Sequence, residues 1–183
     1  MATWVCLLRA INLGAHNKIP MPALREALAE AGFTDVQTYV QSGNVVLTSR
    51  HRRAATVSDA VRDVVREHFD VDQPVMVRTA DQIRAVVDGN PFPEAGTERP
   101  KFLHVVFLTG APSPEAVDRM HSDDLTRDVV RVVGADMYVD YGESMQASKL
   151  SPDYFRRRLG VEGTARNWRT VLALAEMTSK GAG

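Results

Sequence analysis

The sequence predicts an α+β protein in which a strand-helix-strand-strand-helix-strand unit is followed by a second, related unit that repeats much of its order. Three observations carry that prediction. Short apolar runs of strand length alternate with longer stretches whose apolar residues recur at helical spacing. Two hairpin candidates, at Ser42-Gly43 and Gly134-Ala135, each follow a helical stretch. The segment Val36-Gln-Thr-Tyr-Val-Gln-Ser-Gly-Asn-Val-Val-Leu parallels Val129-Val-Arg-Val-Val-Gly-Ala-Asp-Met-Tyr-Val, which supports a duplication.

Trp4 to Ala10 is a compact apolar run and reads as a buried strand. Met21 to Ala31 reads as a helix, with Pro22 near its start, Gly32 at its stop, and Leu24, Ala27, Leu28 and Ala31 on its inner face. Val36 to Val40 and Asn44 to Thr48 form a hairpin around Ser42-Gly43. Ala54 to His68 is a second helix, burying Val57, Ala60, Val61, Val64 and Val65, and Pro74 to Arg78 is the fourth strand. This is the ferredoxin-like order. A connecting helix at Ala80 to Asp88 and a Pro/Gly-rich stretch to Pro100 follow. Much of the order then returns, as a strand at Phe102 to Leu108, a short helix at Pro114 to Met120, and a hairpin of Val129 to Val133 with Met137 to Asp140. Two helices close the chain, at Pro152 to Leu159 and Ala165 to Ser179. The expected organisation is a ferredoxin-like subdomain over 1–79, a connector over 80–100, and a second ferredoxin-like subdomain with C-terminal helices over 101–183.

A chain of 183 residues with 44% hydrophobic and 25% charged side chains is long and apolar enough to bury a real core. No stretch approaches the roughly 18 apolar residues needed to span a bilayer, and the N-terminus lacks a basic leader and cleavage site. Cys6, the only cysteine, cannot form an internal disulfide and lies in a strand pattern, so a buried inert thiol and a reducing cytoplasm are expected, with no disulfide-linked or membrane partner. The five histidines show no ligand spacing, and Asp123-Asp124 has no further ligand near it, so no metal or other cofactor is expected. Charge is uneven. Ser144 to Gly183 carries a net +4, and Gly110 to Glu143 a net −5, which makes the C-terminal third the better place for an anionic partner.

Three polar segments hold donors without an obvious acid or base. In the first, Arg9, Asn12, Asn17 and Lys18 surround Gly14; in the second, Gln41, Ser42 and Asn44 surround Gly43; in the third, Thr164 caps a helix whose first turn holds Arg166 and Asn167. Lys149 completes the candidate ligand-binding set. Each segment has a structural reading too: asparagine and glycine are common turn residues, Arg9 and Arg166 can pair internally, and Trp168 can be core. The Gly14 segment is not a Walker A loop, because the second glycine and the Ser or Thr after the lysine are missing. Ser148-Lys149 is a poor nucleophile pair, since adjacent residues rarely face one substrate. In a ferredoxin-like unit the exit of the first strand and the hairpin share one sheet edge, so Arg9 to Lys18 should lie beside Gln41 to Asn44.

The segments Leu8-Arg9-Ala-Ile-Asn12-Leu-Gly14, Asn17-Lys18, Met21, Tyr39-Val-Gln-Ser-Gly-Asn44, Asn90-Pro-Phe92, Ser148-Lys149-Leu150 and Thr164-Ala-Arg166-Asn167-Trp168 resemble the domain of unknown function 1697 family. The resemblance implies paired ferredoxin-like subdomains and brings no established activity. At Ala10 the chain departs from the family, where glycine is more usual. Donors without an acid or base favour a binding module for an anionic small molecule, such as a nucleotide, or for single-stranded RNA. Two alternatives are a structural or protein-interaction module braced by these motifs, and a metal-independent enzyme acting on a phosphorylated small molecule. The sequence leaves the oligomeric state open.

Overall fold

The computed structural model describes residues 1–14, 16–123, 125, 128–146 and 148–180. Asp124, the second half of the acidic pair noted above, lies outside them. The chain divides into two compact units, Met1–Ala85 with the chain from Leu172 onward, and Val86–Val171.

In the first unit, β1 (Ala2–Leu8), α1 (Met21–Glu30), β2 (Thr34–Tyr39), β3 (Asn44–Ser49), α2 (Ala54–Phe69) and β4 (Val75–Thr79) follow one another. The strands form an antiparallel sheet in the order β2-β3-β1-β4. Registers such as Trp4↔Leu47 and Trp4↔Thr79 alternate side chains across the sheet. Trp4, Cys6, Leu8, Val45, Leu47, Val75 and Val77 share a core with Leu24 and Leu28 of α1 and Val57, Val61 and Val65 of α2. A fully buried leucine such as Leu24 adds about 1.5–3 kcal/mol over leaving it exposed. Cys6 is wholly buried, and burial pushes its thiol pKa up to about 12, so it is inert at neutral pH. Ala31, expected on the inner face of α1, is an exposed cap residue instead.

After α3 (Ala80–Asp88) and α4 (Pro93–Glu98), the second unit repeats the order as β5 (Leu103–Leu108), α5 (Pro114–His121), β6 (Val129–Val133), β7 (Asp136–Asp140), α6 (Pro152–Leu159) and β8 (Gly163–Asn167). Its antiparallel sheet runs β6-β7-β5-β8, the same permutation as the first. Val106, Leu108, Met137 and Val139 pack with Met120 of α5 and Phe155 and Leu159 of α6. Ser113 and Ser151 cap α5 and α6 by accepting the N–H groups of Ala116 and Tyr154, each ahead of a proline that starts the helix. The fold is thus a duplicated α+β fold.

α7 (Trp168–Lys180) is the last element among the described residues, and before it the structure corrects the sequence reading. The segment expected to open a helix at Thr164 is a strand, with Val105↔Arg166 and Phe107↔Thr164 in register. Alternation decides it: Thr164 and Arg166 are buried while Ala165 between them is exposed. On α7 itself Leu174 is buried and Leu172 is 42% exposed. No helix among the described residues is long and apolar enough to cross a membrane.

Candidate functional site

The chain leaves β1 at the sheet edge where the β2–β3 hairpin turns, and the Leu8 N–H donates to the Gly43 carbonyl at 2.8 Å. From there to Lys18 the backbone takes left-handed φ at Ala10 (53°), Asn12 (55°) and Asn17 (52°), with buried Ile11 and Ile19 as apolar anchors. Asn12 is the centre of the loop. Its Nδ2 donates to the Ile19 carbonyl at 3.0 Å and to the Gln41 carbonyl at 2.7 Å, and its Oδ1 accepts the Ile19 N–H at 2.8 Å. Asn17 Nδ2 donates to the Ala10 carbonyl at 2.8 Å, and the Asn17 carbonyl accepts the Asn12 N–H at 2.9 Å. Loop and hairpin are therefore one hydrogen-bonded piece, as the topology of the sequence implied.

The hairpin has its own lock. Asn44 is fully buried, and its Nδ2 donates to the Tyr39 carbonyl at 3.0 Å and to Ser42 Oγ at 2.9 Å. Val40 sits at φ 49° although it is β-branched and 53% exposed, a conformation that costs a non-glycine residue about 1–2 kcal/mol. The same strain at Ala10 explains why glycine suits that position. Lys18, Gln41 and Ser42 are exposed on this edge, while Arg9 is partly buried and its Nη1 donates to Gln73 Oε1 at 2.8 Å. The asparagines thus work as locks, and Lys18, Gln41 and Ser42 are left exposed. Neither Val40 nor Gln73 carries a sequence signal for this edge, since the strain of one and the reach of the other depend on the folded loops.

The third polar segment lies in the second unit. Arg166 is 6% exposed on β8, with Nη1 donating to Thr164 Oγ1 at 2.6 Å and to the Ala165 carbonyl at 2.9 Å. Burial lowers its pKa to about 10, which leaves it charged at neutral pH. Asn167 takes the capping role that the sequence assigned to Thr164: its Oδ1 accepts the Arg169 N–H at 3.1 Å at the start of α7. Its Nδ2 donates to the carbonyls of Pro100 and Lys101. Asn90 folds onto Phe92, accepting its N–H at 2.9 Å, and Gly96 of α4 passes so close that a Cβ there would lie 2.8 Å from Asn90 Nδ2 and 3.1 Å from Trp168 Nε1. Asn90, Gly96 and Trp168 are therefore a packing cluster. Lys149 is exposed, and the Ser148 hydroxyl donates to Asp128 Oδ2 at 2.6 Å.

One buried titratable group in this unit makes a pH prediction. His104 on β5 is 8% exposed, meets Tyr141 edge-on at 5.3 Å, and its Nδ1 has no hydrogen-bond partner among the described residues. Burial lowers its pKa below the ordinary 6.5, outweighing a hydrogen bond to the Phe102 backbone that raises it. The unfolded chain thus takes up this proton at a higher pH than the folded one. The stability from a neutral His104 is complete above pH 6.5 and drains as pH falls from there toward the lowered folded value. Chemical denaturation at pH 7 and at pH 5 should show a smaller loss of stability for His104→Phe than for the parent; an equal loss would remove His104 from the acid limb.

Fold and loops together define an α+β protein with two ferredoxin-like units, one of which presents a loop-and-hairpin edge locked by asparagine amides. The chain belongs to the family described as "Protein of unknown function (DUF1697)", whose model matches residues 1–138. It is similar in fold to the solved structure of the conserved bacterial protein SP0830 from Streptococcus pneumoniae, at 21% identity over 97% of this chain and 98% of that one, with a TM-score of 0.74. No curated protein matches it.

Proposed function

We propose that the first unit binds a phosphorylated or otherwise anionic ligand on the edge formed by the Arg9–Lys18 loop and the 40–43 turn. Lys18, Gln41 and Ser42 are the contacts, Arg9 adds positive charge, and Asn12, Asn17 and Asn44 hold the loops in place. One observation carries this reading. Of the six non-glycine residues with left-handed φ among the described residues, four (Ala10, Asn12, Asn17 and Val40) fall in these two segments, while Asp35 sits at a sheet irregularity and Asp70 caps a helix. At Ala10 and Val40, which lack the local side-chain bonding that suits asparagine to this conformation, it is strain, and strain held in adjoining loops is a mark of functional ones. Turns of this kind also present backbone N–H groups to an anion.

Thermal unfolding with inorganic phosphate, pyrophosphate, AMP and a short oligouridylate tests it. A ligand at about 100 times its Kd stabilises the folded state by about 2.7 kcal/mol, which reads as a rise of several degrees. Lys18→Ala should abolish most of that rise while leaving the melting temperature of the free protein unchanged, because Lys18 is exposed. No rise with any probe at millimolar concentration contradicts the proposal. A second reading, in which the polar segments serve only as braces, is favoured by the inward-directed amides of Asn12, Asn17 and Asn44. It predicts the same absence of a rise.

A further inference from the structure

We propose that the ligand of the loop-and-hairpin edge is a phosphate ester of a hydrocarbon group, with Leu13 and Val40 covering the hydrocarbon. The inference rests on the anion-binding reading above and adds the chemistry of the rest of the ligand. Leu13 is 69% exposed and Val40 53%. Leu13 follows Asn12 and Val40 precedes Gln41, so the hydrogen bond from Asn12 Nδ2 to the Gln41 carbonyl brings the two apolar residues to one edge. The Asn12 N–H donates to the Asn17 carbonyl, which sets exposed Lys18 beside the same bond. An exposed leucine alone carries no message, because much of any folded surface is apolar. Val40 does carry one. A β-branched residue holds φ 49° in a turn where glycine or asparagine would sit with less strain, and its exposed side chain gains no burial in return. A ligand that covers Val40 supplies that missing gain.

Charge fixes the other half of the ligand. The chain has no carboxylate before Glu26 and none from Val36 to Ser58, so both segments bring cations to this edge without acids of their own. Asp72, next to the Gln73 that accepts from Arg9, is itself held by Arg62. Positive charge beside aliphatic surface fits an anion with a hydrocarbon attached. A stacked base is a poorer match, because stacking uses an aromatic face and the two side chains here are aliphatic. A partner protein is poorer still, since a stable interface covers about 800 Å² on each side, far more than a leucine and a valine supply.

The test titrates the full chain with methyl phosphate, hexyl phosphate and hexanol, read by amide NMR. Each methylene covered tightens binding about fourfold, so covering two of them makes hexyl phosphate at least about tenfold tighter than methyl phosphate. Hexanol, which lacks the anion, should not bind. Leu13→Ser and Val40→Asn should each cut the hexyl-to-methyl ratio several-fold, whereas Lys18→Ala should weaken both phosphates alike. Val40→Asn should also melt at or above the parent temperature, because asparagine tolerates this φ better than valine. Equal affinity for the two phosphates, a ratio unchanged in both variants, a lower melting temperature for Val40→Asn, or self-association abolished by Leu13→Ser would each overturn the inference while leaving anion binding intact. Absence of binding by either phosphate and by pyrophosphate would overturn the anion-binding reading and this inference together.

Discussion

Gly43→Ala is expected to destabilise the first unit by about 3 kcal/mol, the sum of a left-handed backbone cost and an overpacking cost of roughly 1–2 kcal/mol each. Gly43 has φ 75°, and a Cβ there would lie 2.8 Å from both Leu8 Cβ and Ile11 Cδ1. Neither neighbour can withdraw, because Leu8 ends β1 and Ile11 is buried. Gly14→Ala is the control: its φ is 59°, but nothing lies within 4 Å of its Cβ, so only the backbone cost remains. Urea unfolding of both variants separates the two costs. Equal losses would mean that the contact of the hairpin with Ile11 is loose.

Asn12→Ala is expected to cost about 2–3 kcal/mol, because it strands the buried Ile19 N–H and removes the link to the Gln41 carbonyl as well. Alanine also tolerates φ 55° less well than asparagine. Asn12→Asp is no milder substitute. It keeps the acceptor for Ile19 but turns an oxygen toward the two carbonyls that Nδ2 served. The same urea experiment measures both, and a loss below about 0.5 kcal/mol for alanine would show that the loop holds without its central amide. If the lock organises the ligand edge, Asn12→Ala also weakens the phosphate-dependent thermal rise although it removes no ligand contact.

Most of the fold was legible because its elements carry strong periodicity. The valines of α2 at helical spacing and the apolar runs from Trp4 to Leu8 in β1 and from Val105 to Leu108 in β5 admit few alternatives. β8 was not legible from its own residues. Gly-Thr-Ala-Arg-Asn offers no apolar alternation and runs straight into α7, so local preference reads the whole as one helix, and the ladder to β5 overrides it. The duplication held the missing signal, since a second unit of the first one's order needs a strand after α6. α4 was hidden for a similar reason: Pro-Glu-Ala-Gly-Thr-Glu has the composition of a loop.

For the candidate site, the sequence placed the loop beside the hairpin through topology alone. It could not say which way the amides point. Asparagine serves a turn and a ligand with the same atoms, and only the fold turns Asn12, Asn17 and Asn44 inward while leaving Lys18, Gln41 and Ser42 exposed.

An amide NMR titration of the full chain with pyrophosphate tests directly whether the loop-and-hairpin edge binds an anion. Binding at the loop-and-hairpin edge gives saturable shifts confined to residues 9–18 and 40–44, and their loss in Lys18→Ala. Shifts centred elsewhere, or none up to millimolar pyrophosphate, would contradict it.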